Sequence, residues 1–221
     1  MFTEEKIESL WVEYTTLLRS TNRPGIEELI KWLEMSDMKH QPSSQAYHGC
    51  YAGGLVAHSL NVYKAATNII SNMGVLALPE KKLAEIPPES IIISALLHDI
   101  CKLNFYKPVK KVWKDENEPN QYAQWKKYWG YTINDAFPLG HGQKSTILAM
   151  HFIRLTAEEI LAITWHMGLS DPGLYLSPYE KPSMMAAINN TPLVEIIMIS
   201  DHFASFMMEQ EIDQKIANAC N

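Results

Sequence analysis

The chain is short of cysteine. Cys50, Cys101 and Cys220 are odd in number and form no CxxC pair among 221 residues. A disulfide framework cannot use all three, and the pattern fits a reducing cytoplasm. Long apolar runs are also missing, and none approaches the roughly 20 residues that span a bilayer. The opening Met1-Phe-Thr-Glu-Glu-Lys has no basic region followed by an apolar one, so no secretory signal is expected. Positive charge is in deficit. A formal net charge of −6 argues against general affinity for nucleic acid or anionic membranes and leaves room only for a local basic patch. No Gly-x-Ser-x-Gly motif is present, so the chain shows no serine-nucleophile elbow. It contains no internal repeat, low-complexity tract or long linker.

What remains is a chain with 47% hydrophobic residues, enough for a substantial core. Apolar residues recur at helical spacing over 3–20 (Ile7, Leu10, Trp11, Tyr14, Leu17, Leu18) and 25–36 (Ile26, Leu29, Ile30, Leu33), with Pro24 suited to a first helical turn. A polar stretch, 37–50, and Gly53-Gly54 precede a helix over about 55–72. Another is predicted over about 89–103, after Pro87-Pro88. Residues 105–140 change character. Tyr106 to Lys114 reads as extended, Asp115 to Asn120 as a turn, and Tyr122 to Thr132 alternates with aromatics, which together predict an inserted β-hairpin at about 105–135. Helices resume at about 142–154. The next is opened by the capping-box pattern Thr156-Ala-Glu-Glu159 and closed by Gly168. A Pro/Gly/Tyr-rich loop is expected at 169–183, and a final helical region at about 184–215, with a break near Pro192. The expected fold is mainly α, one domain over 1–221 with N-terminal helices at 1–44 and a small β excursion.

Ionisable residues at the ends of apolar runs carry the chemistry. His98 and Asp99 close a run that starts at Ile91, and Asp201 closes Val194 to Ser200. Buried charges are costly unless paired or metal-bound. His58 shares a helical face with Leu55, Val62 and Ala65 and should point inward. Each residue alone has an ordinary reading: a satisfied core histidine, an exposed helix end, a buried acid capping a helix. Together, on separate helices, they can form a four-ligand cage in a bundle, and imidazole with carboxylate suits a divalent transition metal.

The order His58, His98-Asp99, Asp201 resembles that of HD-domain metal-dependent phosphohydrolases over roughly residues 45–207. Leu96-Leu-His-Asp-Ile-Cys-Lys102 is close to the family's helix, with Cys101 where many members have Gly. The resemblance implies an HD-type helical bundle. It further implies that His58, His98, Asp99 and Asp201 bind one metal, and that Asp99 bridges to a second held by His141 and His166. The alternative is that His141 and His166 contact substrate phosphate directly. The cofactors implied are two divalent ions, Fe, Mn, Ni, Co or Zn. Tyr47 to Ser59 is also similar to the HD segment of bacterial 3′→5′ exoribonucleases. The OB-fold of those enzymes is absent here, which favours a nucleotide or other small phosphoester over a single-stranded nucleic acid.

The reaction so implied is phosphoester hydrolysis by activated water, with Asp99 and Lys102 as catalytic residues. Lys102 follows His98 by four residues and Asp99 by three, on their side of the helix. Its ammonium either meets substrate phosphate or pairs with Asp99. Lys144 and Ser145, at a helix start after His141, and His48 are further candidates for substrate contact, with Ser145 alternatively a donor to a ligand. His40 and His151 read as exposed or structural, and His202 points about 100° away from Asp201. Lys107, Lys110, Lys111 and Lys114, interleaved with Trp113, Trp125 and Trp129, can hold a nucleotide or a single strand, or can simply be a solvated strand face over aromatics. Leu169 to Pro182, with Tyr175 and Tyr179, is either a pocket wall or a surface turn. Two alternatives stand beside phosphoester hydrolysis: an HD-type di-iron oxygenase, which the resemblance allows on the same six ligands, and a non-catalytic nucleotide-binding module, against which the complete ligand set argues.

Overall fold

A computed structural model describes residues 2–72, 86–170 and 179–209. The described residues form eight α-helices and one antiparallel hairpin: α1 (Glu4–Ser20), α2 (Ile26–Met35), α3 (Gly54–Asn72), α4 (Pro88–Leu97), β1 (Tyr106–Lys114), β2 (Trp125–Ile133), α5 (His141–Met150), α6 (Ala157–Trp165), α7 (Glu180–Asn190) and α8 (Pro192–Phe203). This is the mainly α architecture with a β insertion expected from the hydrophobic periodicity. None of the described helices is long and apolar enough to cross a membrane.

Helix α4 explains the layout. Every residue from Ser90 to Leu97 is buried, so this helix has no solvent face and occupies the centre. It packs against α1, α3, α6 and α8. On one side, Ile92, Ile93, Leu96 and Leu97 join Leu10, Tyr14 and Leu18 of α1 and Leu29, Ile30 and Leu33 of α2. On the other, Ile91 and Ala95 meet Val62 of α3 and Leu193, Val194 and Ile197 of α8. Helix α3 also contributes to both layers. Each fully buried aliphatic side chain contributes about 1.5–3 kcal/mol. Tyr14 is enclosed, and its hydroxyl donates to the Leu96 carbonyl at 2.7 Å, tying α1 to the end of α4. Burial pushes the Tyr14 pKa upward, so the group stays a neutral donor.

The amino end of α6 is a second tie. Thr156 and Glu159 form the expected capping box. Glu159 is fully buried, and it also accepts a hydrogen bond from Ser90 Oγ at the start of α4 (2.8 Å). A two-pronged pairing with Arg23, at 2.7 and 3.0 Å, completes its partners. The Arg23 guanidinium lies between α1 and α2, so this carboxylate joins the N-terminal helices to the bundle.

Several boundaries differ from the periodicity. Pro24 lies before α2, and Gly25 in the left-handed region (φ 87°) occupies the N-cap. The helix expected over 89–103 stops at Leu97. Asp99 takes φ −111° and ψ 13°, and Ile100–Lys102 continues as a 3-10 turn. Of the loop expected at 169–183, 171–178 lie outside the described residues, and 180–183 belong to α7. Thr191 and Pro192 break the last helical region where expected. After α8 the chain winds into a π turn, Ala204–Met208, and 210–215 lie outside the described residues.

Candidate metal centre

Five elements deliver six side chains to one place. His58 comes from α3, His98 and Asp99 from the end of α4, His141 from the first residue of α5, His166 from the end of α6, and Asp201 from α8. The break after α4 matters. Adjacent residues on a regular helix point about 100° apart. Here the backbone turns at Asp99, and its Oδ2 comes within 3.4 Å of His98 Nε2. Helices α5 and α6 approach closely because Gly142 has no side chain, and a Cβ there would lie 2.1 Å from the Thr164 carbonyl oxygen. That contact brings the ring centroids of His141 and His166 to 5.4 Å.

The two oxygens of Asp99 face different groups. Oδ1 lies 2.7 Å from His141 Nε2 and 3.6 Å from His166 Nε2. Oδ2 lies 3.4 Å from His98 Nε2, 3.6 Å from His58 Nε2 and 2.5 Å from Lys102 Nζ. Asp201 Oδ1 is 3.1 Å from His58 Nε2.

Carbonyl acceptors at Nδ1 fix the tautomers of His98 and His166, and a carboxylate takes the Nδ1 proton of His58. His98 Nδ1 and His166 Nδ1 donate to the carbonyls of Ala95 and Ile163, at 2.8 and 2.7 Å. His58 Nδ1 donates to Glu209 Oε1 at 2.8 Å. A neutral ring protonated on Nδ1 carries its lone pair on Nε2. The Nε2 lone pairs of His98 and His166, the Nε2 edge of His58 and two carboxylates therefore converge on one buried space. His58 Nε2 and His98 Nε2 are only 3.2 Å apart, and His166 Nε2 is buried without a hydrogen-bond partner. Such a collection of acceptors requires positive charge among them. A divalent ion with imidazole and carboxylate ligands meets that need.

The charges of the metal-free chain say the same. Burial opposes charge on His58, but Asp201 and Glu209 outweigh it and push its pKa up to about 10. A proton then stands where a cation would. Burial raises the Asp99 carboxyl, yet Lys102, His98 and His141 hold it well below the usual carboxylate range. Asp201 is likewise lowered against its burial, chiefly by His58. Burial lowers His98 and His141, whereas Asp99 raises His166. Burial, with the positive charges of His58 and Lys102, lowers His48 to about 4.

A pH dependence follows from His58. Its folded pKa exceeds the unfolded value of about 6.5. The stability it contributes is therefore complete below about pH 6.5 and lost as pH rises toward about 10. Thermal melts in chelator at pH 6, 8 and 10 should show this decline. Metal affinity should rise over the same window, because the ion displaces the proton.

Glu209 has no counterpart in the sequence reading. The π turn returns the chain so that Asp201 meets Nε2 of His58 and Glu209 meets Nδ1. Wide turns of this kind recur at functional sites. Cys101 is a second addition, since its Sγ lies 3.4 Å from the His141 ring nitrogens. Burial, followed by the charge of Asp99, pushes this thiol up to about 12. Asp99, Cys101 and His141 are close enough to share an ion.

Of the cluster, Asp99, His141 and Asp201 line a cavity of about 290 Å³, whose walls include His48, Lys102, Tyr106, His202 and Phe206. Ser43 Oγ and Ser44 Oγ both donate to the His48 carbonyl at 2.7 Å, fixing the loop that presents its ring. Lys102 both lines the cavity and pairs with Asp99. His202 reaches the wall, although helical spacing points it away from Asp201. Lys144 and Ser145 do not line the cavity. The Lys144 ammonium pairs with Asp135 at 2.5 Å and lies over the Phe105 ring, and Ser145 Oγ accepts from the Cys101 backbone N–H at 3.1 Å. His40, beside Glu4, and His151 are exposed.

A sequence model described as the HD domain matches residues 55–205, more than half of the chain, and spans all six converging side chains. Neither the curated proteins nor the solved structures gave a match.

Proposed function

The chain belongs to the HD-domain family, and from that membership we propose that it is a metal-dependent phosphohydrolase acting on a nucleotide or related phosphoester. One observation carries the reading: four histidines and two aspartates converge, with His166 Nε2 buried and unpartnered, and Asp99, His141 and Asp201 among them open onto a cavity walled by Lys102. His58, His98, Asp99 and Asp201 would hold one ion, and Asp99, His141 and His166 a second. The division of the two Asp99 oxygens between these sets supports a bridging role. Ions so held supply Lewis acidity and a nucleophilic water near neutral pH.

The protein's own groups do the rest. The Asp99 carboxylate raises the pKa of Lys102 against its burial, so the ammonium keeps its charge and offsets that of an entering phosphate. His48 stays neutral at pH 7 and can exchange a hydrogen bond with the substrate. Tyr106 and Phe206 offer aromatic surface to a base or another apolar group. Glu209 holds the tautomer of His58. Glu209→Gln is expected to weaken metal affinity by about 10- to 100-fold, the usual cost of losing a partner behind a ligating histidine. Competition with a fluorescent chelator measures it, and unchanged affinity would deny Glu209 that role.

The test of the function is a phosphoester panel of nucleoside mono-, di- and triphosphates, cyclic nucleotides and short oligonucleotides, with Mn²⁺- or Fe²⁺-loaded protein and metal analysis alongside. Turnover that chelation abolishes is expected. Stoichiometric metal with no turnover across the panel would overturn the reading.

A further inference from the structure

The hairpin has a face that the metal centre does not use. In the register of β1 and β2, Lys110 pairs with Trp129, Val112 with Lys127 and Lys114 with Trp125. These six side chains share one side of a two-stranded sheet, and all are exposed, Trp125 to 62% and Trp129 to 53%. Lys110 Nζ lies 5.3 Å from the centre of the Trp129 ring. The two strands carry six lysines and no carboxylate, in a chain whose net charge is −6. Lys126, from the other side, turns to Glu118. Lys110, Lys114 and Lys127 form no ion pair among the described residues. A solvated face that exists only to be soluble would not expose two indoles. The alternation of indole and ammonium across the strands matches bases to stack and phosphates to neutralise.

The face is also aimed. Tyr106 stands at the base of β1 and lines the metal-centre cavity. Gln41 Nε2 and Gln45 Nε2 donate to the carbonyls of Tyr106 and Tyr131, at 3.3 and 3.1 Å, and fasten both strands to the cavity rim. At about 3.3 Å per residue, Lys110 lies about 13 Å and Lys114 about 26 Å along β1 from Tyr106.

We propose that the outer face of the hairpin binds single-stranded nucleic acid and leads its end toward the cavity. Trp125 and Trp129 stack bases, while Lys110, Lys114 and Lys127 contact phosphates. Delivery of a phosphodiester for cleavage rests on the phosphohydrolase reading, whereas binding does not.

The experiment uses the full chain in chelator, with a fluorescently labelled twelve-nucleotide oligouridine followed by anisotropy. Binding is expected, and it should weaken steeply as salt rises. Trp125→Ala and Trp129→Ala should each lower affinity by roughly tenfold or more, the effect of losing one base stack. Trp125→Phe and Trp129→Phe, which keep an aromatic face, should retain most of it. Lys110→Gln/Lys127→Gln should flatten the salt dependence. Turnover of a mononucleotide by the metal-loaded variants should match wild type, which also shows that they are folded. No binding, or binding indifferent to both tryptophans, would overturn the proposal. Displacement of the oligonucleotide by polyglutamate at equal charge would also overturn it, marking a docking face for acidic protein. So would tryptophan-dependent self-association in light scattering. Strong oligouridine binding with no turnover of any phosphoester would support the hairpin proposal and sink the phosphohydrolase reading. The converse result would do the reverse.

Discussion

Asp99→Asn should remove metal binding and hydrolysis together, lowering turnover by about 10³-fold, the scale of a principal electrostatic group in an active site. Its carboxylate is the one group that faces both ligand sets, through different oxygens. An amide has one acceptor oxygen where the carboxylate has two, and it carries no charge. The same change should also destabilise the metal-free chain. The buried Lys102 ammonium, 2.5 Å from Asp99, would be left without its counter-charge, at a cost of about 3–5 kcal/mol. Adding Lys102→Met should recover stability without recovering turnover. Denaturant titration of the two singles and the double, beside metal analysis and activity, checks both claims. The pH dependence gives a further signature. The Asp99 pKa is depressed on folding, so its stabilisation is present above its unfolded value of about 3.9 and fades as pH falls below it. Acid unfolding of the metal-free Asn variant should be correspondingly shallower. Wild-type metal content in Asp99→Asn would remove Asp99 from the centre.

Arg23→Ala should be among the most destabilising changes remote from the cavity. Glu159 is fully enclosed, and Arg23 supplies its positive partner through two hydrogen bonds. Ser90 and the Thr156 backbone would still donate, but the charge would be uncompensated. The expected loss is about 3–5 kcal/mol, or roughly 10 °C in Tm for a chain of this size. Arg23→Met/Glu159→Gln, neutral and similar in volume, should recover much of it. A single variant that melts within about 2 °C of wild type would mean that water replaces the guanidinium.

These two sites also show what the sequence discloses. The stripe Leu10, Tyr14, Leu18 repeats at helical spacing, so α1 and its buried face are legible from the local pattern alone. The Thr156–Glu159 capping box is legible because its partners lie three residues apart. The hairpin is legible in its alternation of lysine and aromatic side chains. Arg23 with Glu159 is not, since 136 residues separate them and no local pattern records the pairing. For the candidate metal centre, the order of histidines and aspartates named the converging side chains. It did not reveal the halt of α4 at Leu97, which depends on the backbone at Asp99. Lys144 and Ser145 open a helix, a place suited to an anion, but Asp135 and the Cys101 backbone, brought in by tertiary packing, take their polar groups. Glu209 was invisible for the same reason, because it meets a histidine 151 residues earlier only after a wide turn.

That last contact bears on biosynthesis. During translation the six converging residues leave the ribosome in order, His58 first and Asp201 last, with only His98 and Asp99 emerging together at the end of one helix. Glu209 follows them all, and until it emerges the His58 ring lacks the carboxylate that takes its Nδ1 proton. A nascent chain released before that point would carry the converging rings and carboxylates yet lack the lock on the first of them. On the proposed function, metal would therefore bind most tightly only once Glu209 has emerged, late in the synthesis of the chain.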